Sequence, residues 1–352
     1  MRWLIVALAA ALVVTRPAAA DDSTWREQSD QTVEARGLTT LEIRNPRGLV
    51  DLVASPDARI HLTAVKVVRD RDRDRAREVA REITVETNTR DGRYHVDVVY
   101  PDRHSVRFGF SDFFSGFRRY EVRITAQVPP GLAVDVHESS GDIRSEGIAG
   151  PQALVSSSGD IEVHSAGGRV QASSSSGNVT ATGLRGGRVS SVSGDLVLEQ
   201  VAGPLGASTS SGDIRVRGAE DSLALSSVSG DIELDRAPRG LKVRTSSGEV
   251  VAREIAGTID AGTVSGDIRL GVREPLRRLD ARTSSGGIRI ALDPAVRCAI
   301  EMHTSSGSLD VAMPIEMQVA SRRGLSGTVR GGTTPVTLRS VSGDITVVGG
   351  GQ

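Results

Sequence analysis

From Ala133 to the end of the chain, apolar and polar positions alternate with a period of two, the periodicity of a half-buried strand. Serine–glycine steps interrupt the alternation at a regular interval. Glycines preceded by serine stand at Gly141, Gly159, Gly177, Gly194, Gly212, Gly230, Gly248 and Gly266, with spacings of 18, 18, 17, 18, 18, 18 and 18. The series continues at Gly286, Gly307, Gly327 and Gly343 with steps of 20, 21, 20 and 16. In all twelve copies an aliphatic residue follows two positions after the glycine, from Ile143 and Ile161 to Val329 and Ile345. Around Gly230, residues Leu225, Ser227 and Ser229 share one face, whereas beyond the glycine the apolar positions are Ile232 and Leu234. Such a change of parity is what a bend at glycine produces. A second glycine nine residues on, as at Gly150, Gly168, Gly186, Gly203 and Gly257, marks a second corner.

Each unit therefore predicts one coil with two corners and short strands between them. A single coil cannot bury its apolar face, so coils must stack on one another. The expected fold is all-β: a parallel β-solenoid of about 12 coils of ~18 residues over 131–352. A ladder of the serines that precede the glycines, Ser140 to Ser342, is expected inside one corner, with the aliphatic ladder beside it. Residues 21–130 lack this motif. LEIRN, GLVDLVA, RIHLTAVKVV, RYHVDVVY and RYEVRITAQV read as strands, and Ala76, Val79, Ala80 and Ile83 sit at helical spacing. They predict a small N-terminal α+β cap on the first coil, whose edge would otherwise be unpaired. Pro129-Pro130-Gly131 marks the join.

Composition agrees with a stacked β structure. Aromatic residues make up 3% of the chain against 39 glycines, so small and aliphatic side chains must build the core. With 43 basic and 44 acidic residues, no charge excess points to nucleic acid. Arg2, the apolar run Leu4 to Val14 and Ala18-Ala19-Ala20 read as a signal peptide over 1–20. Export to the periplasm, the cell envelope or the extracellular space is the expectation.

The repeat also decides what a segment such as TSSGDIRVRG (209–218) means. Ser211, set beside a glycine and an acid, would suit a nucleophile loop if read alone, but twelve equivalent serines make it structural. The acids after the glycines (Asp142, Asp160, Asp195, Asp213, Asp231, Asp267 and Asp344) read as turn chemistry, a row of cation sites being the competing reading. Cys298, the single cysteine, lies in an apolar strand-like context, and the six histidines show no ligand spacing. Neither a catalytic site nor a metal or cofactor site is expected. Polysaccharide-cleaving β-helices, which place acids along a groove, are the enzyme alternative.

The signal peptide, the mixed N-terminal part and the recurring SSGDI and VSGDI motifs from about Thr39 to Val348 resemble the bacterial "putative adhesin" family of exported β-solenoids. The resemblance implies a noncatalytic envelope or adhesion-type binding or scaffold module and offers no catalytic residue to carry over. A periplasmic component of an envelope-stress or regulatory system is the second functional reading.

Two segments nominate contacts. All five phenylalanines lie in FGFSDFFSGF (108–117). Phe108 and Phe117 are expected to cover the first coil. Phe113 and Phe114, with Arg118 and Arg119, are the candidate contact with an envelope protein, a glycan or an anionic membrane surface. At the other end ITVVGGGQ reads as a last coil whose open edge invites weak self-association.

Overall fold

The computed structural model describes residues 24–70, 72–101 and 120–350. Residues 1–20, read above as a signal peptide, lie outside this range. The chain divides into two compact units, 1–168 and 169–352, and each is built from stacked parallel coils.

In the first unit, strands β1 (Thr24–Glu34), β2 (Thr40–Asn45), β3 (Val50–Ala54) and β4 (Arg59–Arg69) precede helix α1 (Arg73–Glu82). After it come β5 (Thr84–Arg90), β6 (Arg93–Val99), β7 (Tyr120–Val128), β8 (Ala133–Glu138), β9 (Ile143–Glu146), β10 (Gln152–Ser156) and β11 (Ile161–His164). Two parallel stacks result, β6–β2–β8–β10 and β7–β3–β9–β11. Inward residues meet along each: Leu41, Ile43, Val96, Val136 and Leu154 in one, Val50, Leu52, Ile124, Ile143 and Ile161 in the other, all fully buried. Antiparallel strands close the end of the stacks, β5 against β6, β4 against β7 and β1 against β4.

The helix forms where the spacing placed it. The side chain of Asp72 caps its N-terminus by accepting from the amides of Asp74 and Arg75 at 3.0 and 3.2 Å. Ala76 and Ala80 are buried on its inner face, while Arg73 and Arg77 lie 5.9 and 5.8 Å from the Trp25 ring. This is the expected cap, with one correction. The coil stack reaches back into it, because β2 and β3 pair in register with β8 and β9. Gly48 takes the corner position: a Cβ on Gly141 would fall on the Gly48 carbonyl oxygen. Arg47 stands before Gly48 where the repeat has serine, so the copy is not visible as a motif.

In the second unit the corner glycines follow one another at the same close approach, Gly177, Gly194, Gly212, Gly230, Gly248, Gly266 and Gly286. The next corner in space is Gly343, and Gly307 lies beyond it. Thr334–Ser342 inserts between Ile268–Ser285 and Cys298–Ser306, and Ile345–Gly349 between Ile288–Leu292 and Leu309–Ala312. Two expectations change. Gly327 is no corner; it lies in Gly324–Val329, antiparallel to Cys298–Ser306. The segment ITVVG is no open edge, because it is paired on both sides. The intercalated order also restores a sequence rhythm. Two positions before the corner glycines, spatial order reads Val192, Ser210, Val228, Ser246, Val264, Ser284, Val341, Ser305, a strict alternation that chain order lacks.

The serine ladder is displaced as well. Ser229, just before Gly230, is exposed, and the buried hydroxyl belongs to Ser227. Ser156, Ser174, Ser191, Thr209, Ser227, Thr245, Thr263, Thr283, Thr304 and Ser340 all stand three before a corner glycine and are buried. Nine of them donate to the corner carbonyl of the neighbouring coil and so clamp two coils. Ser191 donates to the Gly177 carbonyl at 2.9 Å and accepts from the Gly194 amide at 2.9 Å. Thr209 does the same with Gly194 and Gly212, at 3.0 and 3.2 Å. The parity break therefore falls on the two exposed residues before the glycine and not on the glycine itself. Thr245→Val, which keeps the shape and removes the donor to the Gly230 carbonyl (3.2 Å), should cost about 1–2 kcal/mol in denaturant unfolding. Ser229→Leu should stay within about 0.5 kcal/mol of the parent; the reverse ranking would return the buried ladder to the serine beside the glycine.

Candidate functional site

The four residues nominated by sequence, Phe113, Phe114, Arg118 and Arg119, lie outside the described residues. The ends of their segment are described. β6 runs into Tyr100 and β7 begins at Tyr120, and the two rings stack with centroids 5.5 Å apart. The Arg47 guanidinium lies over both rings, 5.1 Å from Tyr120 and 6.0 Å from Tyr100. The Tyr100 hydroxyl sits 2.6 Å from the Arg47 carbonyl and accepts from the Val122 amide at 3.0 Å. Burial pushes its pKa well above the phenol range, so it remains a neutral tether between the turn before β3 and β7.

The acid row is bonded to backbone across coils. Asp142 accepts from the Asp160 amide at 3.0 Å. In the second unit Asn178, Asp195, Asp213 and Asp231 each accept from the corresponding amide of the next coil, at 2.9, 2.9, 3.0 and 2.8 Å. Asp267 and Asp344 do so with Gly287 and Ser308, at 2.8 and 2.7 Å. The turn reading of these acids is what the geometry realises, though the amide belongs to the neighbouring coil and not to the acid's own turn. Charges beside the row pair between coils, as Arg144 does with Glu162 at 3.0 Å.

Several polar clusters fall elsewhere. Glu42, almost fully buried, meets Arg44 at 2.7 Å, His95 at 3.3 Å and Arg93 at 3.4 Å, which neutralises it within the β2–β6 surface. Thr32, His61 and Asp57 align as hydroxyl, imidazole and carboxylate, with distances of 3.3 and 3.1 Å. The hydrogen bond from His61, helped by the Arg59 amide and the Ser55 hydroxyl, holds Asp57 down to about 2. Thr32 and Asp57 are exposed on the outer surface of β1 and the turn before β4. They lack the walls that strengthen charge stabilisation in a catalytic site. Cys298 is buried, and burial with the nearby Glu274 raises its thiol to about 11, which makes it a core side chain and no nucleophile. A shallow cleft of about 520 Å³ lies along the second corner of the second unit, lined by Arg185, Gln200, Glu220 and Arg236 among others.

Among the described residues, no group of three or more His, Cys, Asp or Glu side chains could hold a metal ion. Nor is any helix among them long and apolar enough to cross a membrane.

A sequence profile of the family described as Toastrack DUF4097 matches residues 38–239 and again 236–348. The chain belongs to the Toastrack family. Solved structures similar to this Toastrack chain include a "putative adhesin" of Bacteroides fragilis, 12% identical, covering 91% of this chain and 96% of that one with a TM-score of 0.30. A "putative lipid binding protein" of Parabacteroides distasonis is 13% identical, covers 92% and 96%, and has a TM-score of 0.31. A "putative cell adhesion protein" of Clostridium sporogenes is 9% identical, covers 92% and 99%, and has a TM-score of 0.22. Among curated proteins, none matches the chain.

Sequence reading passed over two features of this Toastrack chain. The hydroxyl clamp was open to detection, since the position three before each corner glycine accepts Ser or Thr and nothing larger from Ser156 onward. The other is Glu138, which takes that position ahead of Gly141. It is buried, and neither carboxyl oxygen has a hydrogen-bond partner among the described residues. Burial, reinforced by Asp142, raises its pKa to about 9.

Proposed function

We propose that this Toastrack chain is a noncatalytic binding or scaffold module of the adhesion type, exported to the periplasm or cell surface. The observation that carries this reading is the exposed ladder of the second unit, in which valine alternates with serine from coil to coil. Val192, Val228, Val264 and Val341 are 53–55% exposed, although a stacked core stands beside them. Consecutive coils lie ~4.8 Å apart, which puts the valines ~9.6 Å from one another on a rigid backbone. Such a display suits an extended partner that engages several coils at once. The recurrent polar groups beside it support a binding role over chemistry, because hydroxyls and carboxylates alike are bonded to the corner backbone. Phe113 and Phe114, with Arg118 and Arg119, form a second proposed contact, aromatic anchors and cations for an envelope protein, a glycan or an anionic membrane surface.

Two variants test the reading on isolated envelope fractions, a glycan array and anionic vesicles. Val228→Glu with Val264→Glu should keep the parent's stability within about 0.5 kcal/mol per site and lose retention on the envelope fraction or the array. Phe113→Asp with Phe114→Asp should fold as the parent and lose vesicle or envelope binding. Parent-like binding by both variants, or turnover of a polysaccharide by the parent, sinks the proposal.

A further inference from the structure

The shallow cleft at the second corner owes its shape to two glycines. Successive coils round this corner through a residue in the left-handed region: Gly183 (φ 72°), Gln200 (φ 55°) and Gly218 (φ 68°). Neither glycine carries a side chain, which leaves room on both sides of Gln200 and gives the cleft its volume of about 520 Å³. Leu184 and Ala219 form its buried floor, in register with Val201 of the coil between them. The residues that follow these three, Arg185, Ala202 and Glu220, make the next row. Arg185 and Glu220 therefore stand two coils apart, ~9.6 Å at ~4.8 Å per coil, with only the methyl group of Ala202 between them. Arg236 follows one coil beyond Glu220.

Charges beside the cleft are paired between coils, Arg217 with Glu199 at 3.5 Å and Arg239 with Asp221 at 3.6 Å. The cleft's own polar residues are not. Among the described residues, no hydrogen bond or ion pair engages the side chain of Arg185, Gln200, Glu220 or Arg236. Unpaired polar groups that line one cleft are what a ligand site presents. Gln200, moreover, keeps a side chain in a left-handed conformation where the coils on both sides have glycine.

We infer that this cleft is a binding site for an acidic α-amino acid. Along the coil stack its charges run Arg185, Glu220, Arg236, an anion between two cations, with the wider gap on the Arg185 side. A complementary ligand carries an ammonium between two carboxylates and lies closer to one of them. An acidic α-amino acid has this pattern. Its α-carboxylate meets Arg236, its ammonium meets Glu220, and its side-chain carboxylate reaches Arg185. The methylenes then lie over Ala202, and Gln200 supplies a donor and an acceptor beside them. The single net negative charge of the ligand offsets the single net positive charge of the site. A plain dicarboxylate would leave Glu220 facing like charge, and a plain amine would leave both arginines unmatched. Because the charged groups are exposed, each contact is weak and the site exchanges its ligand readily.

Isothermal titration of the full chain with L-glutamate, glutarate, L-glutamine and γ-aminobutyrate reads the outcome, since each analogue lacks one of the three charges of glutamate. L-Glutamate should bind saturably, and each analogue should bind at least about threefold more weakly. Three variants locate the contacts. Glu220→Gln should erase the preference over glutarate, Arg185→Gln that over L-glutamine, and Arg236→Gln that over γ-aminobutyrate. All three should keep the parent's unfolding midpoint, because the side chains they replace are exposed. Failure of L-glutamate to saturate overturns the inference. So does glutarate that binds as tightly as L-glutamate, or a variant that keeps the preference assigned to its residue. The site shares no residue with the valine ladder or the phenylalanine segment, so either proposal can fail alone.

Discussion

Glu138→Gln should stabilise the protein at neutral and alkaline pH and flatten the dependence of its stability on pH. Every later coil has a serine or threonine at this position, and at Ser156, Ser191 and Thr209 the hydroxyl both donates to the preceding corner carbonyl and accepts from its own corner amide. Ser156 shows both bonds, to Gly141 at 3.1 Å and from Gly159 at 2.9 Å. Glu138 Oε1 stands against Gly141, where a Cβ on that glycine would meet both it and the Gly48 carbonyl oxygen. A neutral carboxylic acid offers one donor and one acceptor there, as the hydroxyl does; a carboxylate offers no donor and faces the carbonyl with like polarity. Its folded-state pKa is raised to about 9 by burial and by Asp142. A raised folded pKa means that the contribution is fully present below the unfolded value, near 4.5, and is lost as pH rises towards 9. With a slope of about 1.4 kcal/mol per pH unit in that window, the parent should lose roughly 3 kcal/mol between pH 4.5 and pH 7 through this group. Glutamine cannot ionise and keeps a donor and an acceptor. Denaturant unfolding of parent and variant at pH 5, 7 and 8 isolates the effect of Glu138 and of its coupling to Asp142, because titrating groups that do not interact with Glu138 cancel in the difference. Parallel pH profiles would refute the assignment of Glu138 as a buried neutral acid.

Gly230→Ala should have an effect of similar size and opposite sign, for a different reason. A glycine-to-alanine change at a compatible, open site stabilises by about 0.4–1 kcal/mol through the unfolded chain. At Gly230 the added methyl would fall on the Gly212 carbonyl oxygen of the adjacent coil and against Ser227 Oγ. Backbone is what it meets, so the coils would have to part at the corner and the Ser227 clamp to Gly212 (3.2 Å) would lengthen. The expected loss is about 3 kcal/mol. Gly206→Ala is the control, since nothing lies within 4 Å of a Cβ there; it should be neutral or slightly stabilising. Equal unfolding midpoints for the two variants would show that the corner column tolerates a side chain and that the close approach does not set the repeat's glycine.

The candidate contacts were legible only as composition. Five phenylalanines within 108–117 single out that segment in a chain with 3% aromatics, yet nothing in the string shows that Tyr100 and Tyr120 stack at its two ends. Edges were harder still. Whether ITVVG or EMQVA ends a sheet depends on which strands lie alongside, and both read as short apolar strands.

The sequence by itself determined whatever depends on spacing along one coil. The interval of 18 residues sets the corners, the aliphatic residue two after each glycine sets the buried ladder, and Ala76 and Ala80 set the helix that closes the first unit. These are local consequences of a two-residue strand period and a 3.6-residue helix period. Tertiary structure decided what depends on which coil is neighbour to which. Corners carrying the same Ser-Gly step present nearly the same surface, so chain order cannot tell that Gly343 follows Gly286 and that Gly307 comes after. Gly48 joins the column although Arg47 precedes it, because the corner demands a missing Cβ and not a serine. The buried hydroxyl lies at Ser227 and not at Ser229 because two residues in succession turn outward where the chain rounds the corner, and only the stacked neighbour shows which oxygen is within reach of the Gly212 carbonyl.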